Sequence, residues 1–541
     1  MALIQTGPSP SGSSLWEPLD RRVTRHDLLH VWDGTRFVEW SWEEWLQRSL
    51  RFAAALRARD IRPGDRVACL LTTTPTACAA VLGVWFAGAC LVSLPLISRG
   101  MALAEYVAML RRIIGTSEPE LLLCERGFTE QLRAAGLSAP VAAFEEMNAS
   151  VPHDPTPPAD DEVAFVQFSS GSTSEPRGCM LTPRAIAWQL QSLAQALAIE
   201  PDRDTGVVWL PLAHDMGLFG CLLLTYWTGH RLFLSSPQRF LGDPSSWLAD
   251  CARFGATISA TPSFGLEMAV RVAEVRLPPP IPMRRLVIGG ERVEASTLER
   301  AHSVLGDARL KRSALVPAYG LAEAVLAVTM STIDRAPTIL QVDASALAAG
   351  RVQECEGTNG SPLLLVSAGR PLVGASTRIA GDVDIGEIVV RSGSLAEGYL
   401  NAPELTGSRF SDDELYTGDL GFVRGGELFV TGRLDDLMCV AGRNIYARDI
   451  EAAITEIPGV RPGACAVVDI ERGAGTELVA IVELREPRPD AAIIARHVKA
   501  RTRAVAGIHL HDCLFVPRGR LPKTPSGKLQ RWRCRELALR S

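Results

Sequence analysis

Residues 163–178 read VAFVQFSSGSTSEPRG, an apolar run that passes directly into a loop of hydroxyls and glycines. The apolar part, Val163 to Phe168, predicts a buried strand. Glycine lets a ligand approach the backbone closely, and Ser and Thr hydroxyls together with backbone N–H groups can bind phosphate oxygens. The spacing of a Walker loop is absent. The loop is therefore a candidate phosphate-binding turn, with an ordinary turn as the alternative.

Strands and helices alternate on both sides of this loop. Apolar spacing predicts helices over 42–59 and 76–86, and strands over 66–71, 89–94, 120–124, 206–209, 231–234 and 286–288. Such alternation favours parallel sheets covered by helices on both faces. We therefore predict an α/β protein whose large N-terminal domain, residues 1–432, holds several subdomains with mainly parallel sheets flanked by helices.

A boundary is predicted at 433–436. Beyond it the pattern predicts a small α+β domain over 437–541, with helices at 447–456 and 491–503 and strands at 464–469, 478–484 and 512–516. About a hundred residues is an ordinary size for a small domain. Near its end lies the stiff, basic loop LPKTPSGK, residues 521–528. Together with the first loop, it suggests a nucleotide site closed by a lysine from a separate unit.

Composition limits the remaining possibilities. The chain has 541 residues, 47% of them hydrophobic, and a net charge of -5, so nothing general argues for a nucleic-acid partner. Twelve cysteines without C-x-x-C spacing favour a reduced, cytoplasmic protein, and residues 1–14 do not read as a secretory signal. The uncharged stretch 67–98 is interrupted by Pro75 and Pro95, so we expect no membrane span.

Two further segments carry candidate site residues. In AYGLAE (318–323), Tyr319 could stack on a base and Glu323 could hold Mg²⁺; a core tyrosine and a surface glutamate are the alternative. In YTGD (416–419) and TGRLDD (431–436), Asp419 could accept both hydroxyls of a ribose and Arg433 could reach ribose or phosphate. The alternative is two ordinary turns that flank a strand at 427–430.

The order and spacing of these motifs resemble the adenylate-forming superfamily over nearly the whole chain. The finer resemblance is to the fatty-acyl-AMP ligases, through WLPLAHDMGL (209–218), YGLAEA (319–324) and GRNIYARDIE (442–451). The connection between Thr338 and Leu372 is similar to an insertion of that family, in which it is associated with poor use of CoA and preference for carrier-protein thiols. The small C-terminal domain is mobile in this superfamily, so we expect it to be mobile here.

The resemblance implies a role for each matching residue. It implies a substrate pocket formed by His214, Met216, Gly217, Thr261, Ser263 and Phe264. It implies an ATP site formed by Ser169, Ser170, Gly171, Ser172, Thr173, Gly290, Glu291, Tyr319, Gly320, Asp419 and Arg433. Glu323 and Thr173 would contact Mg²⁺, and Asp435 would be the hinge. Lys528, Glu323 and His214 would be the catalytic residues, with Lys528 supporting adenylate formation.

Some positions depart from the family pattern. Arg177 and Ser174 replace the usual lysine and glycine of the phosphate loop, Ala213 replaces an aromatic residue, and TPSF (261–264) differs from the usual GPNF. The favoured hypothesis is ATP-dependent activation of a fatty or related carboxylic acid to acyl-AMP, followed by transfer to an acyl carrier protein in trans. The alternatives are a CoA ligase, a ligase for an aryl, amino or short acid, and a non-catalytic nucleotide-binding homologue.

Overall fold

The computed structural model of the protein describes residues 4–5, 14–20, 26–97, 101–169, 176–355, 362–434, 437–440, 443–472, 475–485, 490–506, 508–523 and 529–540. Its strands are β1 (Ile4–Gln5), β2 (Leu29–Trp32), β3 (Phe37–Trp40), β4 (Arg66–Cys69), β5 (Cys90–Ser93), β6 (Leu121–Cys124), β7 (Val141–Ala143), β8 (Phe165–Ser169), β9 (Arg177–Leu181), β10 (Thr205–Val208), β11 (Arg231–Leu234), β12 (Ile258–Thr261), β13 (Arg285–Ile288), β14 (Leu315–Gly320), β15 (Ala327–Met330), β16 (Ile339–Asp343), β17 (Pro362–Val366), β18 (Arg370–Pro371), β19 (Ser376–Ile379), β20 (Gly386–Arg391), β21 (Phe410–Ser411), β22 (Glu414–Arg424), β23 (Glu427–Arg433), β24 (Leu437–Val440), β25 (Arg443–Tyr446), β26 (Val460–Arg472), β27 (Gly475–Leu484) and β28 (Asp512–Val516).

Its α-helices are α1 (Glu17–Asp20), α2 (Trp42–Arg57), α3 (Pro75–Phe86), α4 (Leu103–Ser117), α5 (Arg126–Ala134), α6 (Pro183–Ala196), α7 (Asp215–Gly217), α8 (Leu224–Thr228), α9 (Pro237–Gly242), α10 (Ser245–Phe254), α11 (Ser263–Ala273), α12 (Ala295–Leu305), α13 (Ala344–Ala348), α14 (Pro403–Arg409), α15 (Ala447–Thr455), α16 (Ala491–Ala506) and α17 (Arg531–Leu539). A π-helical turn covers Leu218–Leu223, and short 3-10 turns cover Phe144–Glu146, Arg312–Ala314 and Ala322–Ala324. The predicted helices and strands are confirmed, with ends that differ by a few residues.

Two mainly parallel sheets form the large part of the chain. One has nine strands in the order β18-β15-β14-β13-β12-β10-β11-β2-β3, and its central strands, from β14 to β2, pair in parallel. The other has six strands in the order β7-β6-β4-β5-β8-β9, parallel except for the last pair. Burial of apolar strands such as Leu121 to Cys124 between helices explains the near-continuous hydrophobic runs in these strands.

Local signals set several helix starts. The Ser41 hydroxyl accepts the Glu44 N–H at 3.1 Å and the Glu44 carboxylate accepts the Ser41 N–H at 2.8 Å, a capping box that begins α2. Helices α3 and α6 each begin with a proline preceded by a capping threonine, Thr74 and Thr182. Helix α6 packs against the π-helical turn, α8 and β15 within the main apolar core.

A third sheet is antiparallel and contains β1, β19, β20, β22, β21 and β23. The connection between Thr338 and Leu372 forms the hairpin β16–β17 with the short helix α13. Its buried residues Val342, Leu347 and Leu365 pack on the stacked rings of Phe422 and Phe429. The connection is thus a folded addition to this sheet.

The C-terminal part has apolar clusters of its own. Strands β26, β27 and β28 form one sheet, with α15 and α16 in one cluster and α17 in another. A buried ion pair between Glu451 and Arg531 joins α15 to α17, with Arg531 Nη2 3.0 Å from Glu451 Oε2. Among the described helices, none has the length and apolar character needed to cross a membrane.

The thiols are consistent with the prediction of a reduced protein. Of the twelve cysteines, the structure describes the side chains of all but Cys439; these eleven are free, and all of them except Cys355 are buried. Burial raises the pKa of Cys78 and of Cys179 above the ordinary thiol value. Such thiols are protonated and unreactive, which indicates a packing role.

Candidate active site

A cavity lies at the carboxyl ends of the central parallel strands. It is bounded by β12, β13, β14 and β15 on one side and by α6 and the π-helical turn on the other, and it encloses about 570 Å³ of space, part of it open to solvent. Ligands of open α/β sheets commonly bind outside the carboxyl ends of the strands. Its walls are apolar where Leu193, Leu197, Val287, Leu326 and Met330 contribute side chains.

Glycines form part of the strand side of the cavity. Gly290 has φ of +77°, and a Cβ there would lie 3.3 Å from Met216 Cε. A Cβ at Gly320 would lie 1.7 Å from the Leu326 carbonyl oxygen, so no larger residue fits the present backbone. The predicted site residues Met216, Gly290 and Gly320 line this one cavity together with Tyr319.

A hydrogen bond joins the side chains of Tyr319 and Asp419, although 100 residues separate them in the sequence. The Tyr319 hydroxyl donates to Asp419 Oδ2 at 2.7 Å, and Arg433 Nε lies 3.0 Å from Asp419 Oδ1. Burial, with a smaller contribution from Asp419, raises the pKa of Tyr319 well above the ordinary phenol value, so its hydroxyl is a donor at neutral pH. The alternative of two ordinary turns is wrong, because Asp419 and Arg433 are directly paired residues of β22 and β23.

Glu323 is held from two sides. The Tyr399 hydroxyl donates to Glu323 Oε1 at 2.8 Å, and the Ala396 N–H donates to the Glu323 carbonyl oxygen at 2.8 Å. Tyr399 is only 4% exposed, and burial followed by the charge of Glu323 raises its pKa, so it too remains a donor. Glu323 itself is half-buried. The surface glutamate of the alternative reading is therefore a positioned carboxylate.

The chemistry of Glu323 fits Mg²⁺. Mg²⁺ is commonly held by one or two carboxylates plus substrate phosphates and water rather than by an all-protein cage. Within the described part of the chain, no group of three or more His, Cys, Asp and Glu could hold a metal ion. A single fixed carboxylate three residues after Gly320, which lines the cavity, agrees with a metal that arrives with a nucleotide. The other predicted Mg²⁺ contact, Thr173, lies outside the described residues.

The predicted acid pocket residues occupy two helix starts. His214 is the half-buried residue before α7, and a Cβ at Gly217 would lie 2.3 Å from the Pro211 carbonyl oxygen, so the 211–217 turn is tight. Thr261 ends β12, and Ser263 begins α11. The Phe264 N–H donates to Glu291 Oε1 at 2.7 Å, so Glu291 caps α11 next to Gly290.

The C-terminal part contacts the segment that follows Gly290. Arg448 Nη2 donates to the Arg292 carbonyl oxygen at 3.4 Å, and Arg533 Nη1 lies 3.2 Å from Glu105 Oε2. Lys523, in the basic loop, donates from Nζ to the Gly463 carbonyl oxygen at 2.6 Å. Burial lowers the pKa of Lys523, while Glu483 and Glu291 act in the opposite direction.

Several predicted residues are not described. Ser170, Gly171, Ser172, Thr173, Asp435 and Lys528 lie outside the described residues, and their roles stay predictions, as does the boundary at 433–436. Ser169 ends β8, where its backbone pairs with Arg177.

Sequence reasoning missed Tyr399 and Asp215. Tyr399 reaches Glu323 across 76 residues, so no local pattern points to it. Asp215 lines the cavity. It lies within the motif WLPLAHDMGL (209–218), so this motif could have identified it as a site residue.

Comparison with known proteins gives consistent results. The family model described as AMP-binding enzyme matches residues 19–400. A relative from Mycobacterium tuberculosis, putative fatty-acid–CoA ligase FadD21, is 30% identical over 96% of this chain and 95% of its own length. A relative from Mycobacterium marinum, 4-hydroxyphenylalkanoate adenylyltransferase, is 32% identical over 92% of this chain and 85% of its own.

A solved structure extends the similarity to three dimensions. The fatty acyl-adenylate ligase from L. pneumophila, solved in complex with acyl adenylate and pyrophosphate, matches with a TM-score of 0.75 and 28% identity. The match covers 98% of this chain and 96% of that one. The α/β fold with a large N-terminal and a small C-terminal part is therefore shared across the full length.

Proposed function

The chain belongs to the AMP-binding enzyme family, and from that premise we propose that it activates a fatty or related carboxylic acid as an acyl-adenylate and then transfers the acyl group to the phosphopantetheine thiol of an acyl carrier protein. The observation that carries the first step is the hydrogen-bonded set Tyr319–Asp419–Arg433, which meets an apolar cavity through Tyr319, together with the Glu323–Tyr399 pair that follows on the chain. One end of this site suits a nucleotide and the other suits an acyl chain.

Different residues contact the ribose, the base and the phosphates of the nucleotide. Asp419 accepts ribose hydroxyls through its carboxylate while Tyr319 and Arg433 fix its orientation. Tyr319 and Gly320 border the base, since the ring of Tyr319 and the bare backbone of Gly290 and Gly320 leave room for a flat group. Residues 169–173 enclose the phosphates.

In the first step a carboxylate oxygen of the acid attacks the α-phosphorus of ATP, and the bond from that phosphorus to the bridging oxygen breaks to release pyrophosphate. Both partners are anions, so positive charge is needed where they meet. Glu323 would hold Mg²⁺, which supplies such charge when bound. Lys528, delivered by the C-terminal part, supplies the second cation.

In the second step a thiol sulfur attacks the acyl carbon, AMP leaves, and the thiol proton passes to solvent. Rotation of the C-terminal part about Asp435 would withdraw Lys528 and open a path for the pantetheine arm. We take a carrier protein rather than CoA as the acceptor because the 338–372 connection resembles the insertion that is associated with that preference. Helix α13 of this connection lies close to β25 of the C-terminal part, which is the part that must move.

A second candidate substrate is an aryl-terminated acid. The Mycobacterium marinum relative is named 4-hydroxyphenylalkanoate adenylyltransferase, and the apolar cavity wall suits an aromatic ring as well as an alkyl chain. The small side chain of Ala213, which is buried near Gln167, also leaves the substrate class open.

A panel assay separates these alternatives. The protein is incubated with ATP, Mg²⁺ and fatty, aryl, amino and short acids, and acyl-AMP is detected by mass; CoA or a phosphopantetheinylated carrier protein is then added. We expect acyl-AMP from fatty or aryl-terminated acids and thioester on the carrier. Thioester on CoA alone would refute the carrier as acceptor, and absence of acyl-AMP with every acid would refute the proposed function.

A further inference from the structure

The turn that follows Glu323 contains a strained residue. Val325 has a φ of 61° and a ψ of -55°, and a β-branched residue with positive φ is a genuine outlier. The Leu326 N–H donates to the Ala324 carbonyl oxygen at 2.7 Å. These angles and this hydrogen bond define a γ-turn with positive φ, the rarer and strained form of the γ-turn. Such strain persists only where the surrounding structure holds it, and it is most frequent at active sites.

The surroundings of the turn are apolar and closely packed. Val325 and Ala324 are both 0% exposed. The Val325 side chain belongs to the main apolar core, whereas the Ala324 side chain belongs to the cluster that lies on the antiparallel sheet. Two consecutive side chains therefore enter two different clusters, and these clusters hold the turn in place.

The turn joins two parts of the proposed site. Before it, Glu323 accepts the Tyr399 hydroxyl at 2.8 Å. After it, Leu326 lines the cavity, and a Cβ built on Gly220 of the π-helical turn would lie 2.9 Å from Leu326 Cδ2. Only two residues separate Glu323 from Leu326. The backbone of Val325 therefore determines where the carboxylate stands relative to this wall of the cavity.

The same turn closes a short loop between β14 and β15. Gly320 pairs with Ala327 next to a register shift, and the Leu326 carbonyl oxygen lies only 1.7 Å from the position that a Gly320 Cβ would take. Glycine at position 325 would adopt the observed angles without steric cost, but it would also leave the turn free to adopt others. Valine is stiffer, so the chain keeps a strained residue where a relaxed one would allow movement.

We propose, on the basis of the function proposed above, that Val325 is a positioning residue whose strained turn fixes the Glu323 carboxylate relative to the Leu326 side chain. The carboxylate that would hold the metal and the wall that would hold the acid then keep one spacing. In-line attack needs such a spacing, because a misplacement of about 1 Å can lower a rate by about 10²-fold. The turn supports the reaction although it destabilises the fold.

The strain is tested by making the same alanine-to-glycine change at two neighbouring positions. Urea denaturation is compared for Val325→Gly against Val325→Ala, and for Ala324→Gly against the unsubstituted protein. Because glycine relieves positive φ, Val325→Gly should be at least as stable as Val325→Ala. Ala324 has an ordinary negative φ and is buried, so Ala324→Gly should be less stable than the unsubstituted protein. A Val325→Gly protein that is less stable than Val325→Ala would overturn the inference. Val325→Asn repeats the test with a residue that tolerates positive φ and fills more space than glycine.

The positioning role is tested by two measurements on the full chain. Calorimetry without acid gives the Mg²⁺ concentration for half-maximal ATP affinity, which reports on Glu323. The KM of the acid in acyl-AMP formation reports on Leu326. Val325→Gly should raise both values by about tenfold, since both groups lose their fixed spacing. Val81→Ala is the control, because Val81 is 0% exposed in the same apolar core but lies in α3; it should lower stability and change neither value.

The outcomes separate this inference from the proposed function. Acyl-AMP formation by Val325→Gly with neither value raised, or with only one of them raised, overturns the inference alone. Equal shifts in Val325→Gly and Val81→Ala also overturn it, because the effect would then follow from lost packing. Absence of acyl-AMP from every acid with the unsubstituted protein overturns the proposed function and, with it, this inference.

Discussion

The bond from Tyr399 to Glu323 makes a specific prediction about magnesium. Tyr399→Phe removes only the hydroxyl that holds Glu323 Oε1 at 2.8 Å. A hydrogen bond to a charged group contributes about 1.5–3 kcal/mol, which corresponds to roughly 10- to 140-fold in affinity. Because Glu323 is half-buried and water can partly replace the phenol, we expect the lower end, about tenfold.

The assay measures ATP binding by calorimetry at a series of Mg²⁺ concentrations. No acid is added, so no turnover occurs. Tyr399→Phe should need about tenfold more Mg²⁺ for half-maximal ATP affinity, with the plateau largely retained at saturating Mg²⁺. The rate of acyl-AMP formation should show the same shift in the Mg²⁺ requirement with little change in kcat, because only the orientation of the carboxylate is lost.

Tyr106→Phe is the control for a purely structural effect. The Tyr106 hydroxyl is also buried, but it donates to the Pro95 carbonyl oxygen at 3.0 Å. This variant should lose stability without any change in the Mg²⁺ requirement. If Tyr399→Phe binds ATP at the wild-type Mg²⁺ concentration, or if both variants shift equally, Tyr399 does not position Glu323 for a metal.

Three further outcomes are expected. Tyr319→Ala removes the cavity ring and the Asp419 bond, so ATP affinity should fall by about tenfold or more in a nucleotide titration; unaltered affinity would remove Tyr319 from the base site. Gly320→Ala should lower the free energy of unfolding, measured by chemical denaturation, by about 1–3 kcal/mol or more, because the new Cβ would meet the Leu326 carbonyl. Gly407→Ala is the control and should cause no such loss, because a Cβ there meets nothing within 4 Å. Equal stabilities of the two variants would contradict the close approach at Gly320. Burial raises the pKa of Tyr399 in the folded state, so above about pH 10 the unfolded chain loses this phenol proton while the folded chain keeps it, and the free energy of unfolding falls as pH rises. Tyr399→Phe should make the free energy of unfolding, measured by urea titration, fall less steeply with pH in this range. An unchanged slope would contradict the raised pKa.

Much of the fold could be predicted because its signals are local. The apolar run at 120–124 and the apolar spacing over 42–59 each lie within one short stretch of chain, and they became β6 and α2. Parallel pairing followed from the alternation of strands and helices. The predicted ends of helices and strands were less accurate, because the end residues depend on contacts with other elements. For example, β26 runs over Val460–Arg472, whereas 464–469 was predicted.

The candidate site was only partly predictable. Gly290, Tyr319 and Gly320 were found through motifs, and they do share one cavity. The bonds that orient the site are long-range, such as Tyr319 to Asp419 across 100 residues and Tyr399 to Glu323 across 76. No periodicity in the sequence indicates such contacts, because they depend on how distant parts of the chain pack against each other.

Isotope transfer tests the claim that a carboxylate attacks the α-phosphorus of ATP. The protein is given ATP, Mg²⁺ and an acid whose two carboxylate oxygens are ¹⁸O, and the products are analysed by mass before and after a carrier thiol is added. The expected result is doubly labelled acyl-AMP with unlabelled pyrophosphate, and then AMP that carries one ¹⁸O on its phosphate. Release of ADP, or of AMP without label, would contradict it.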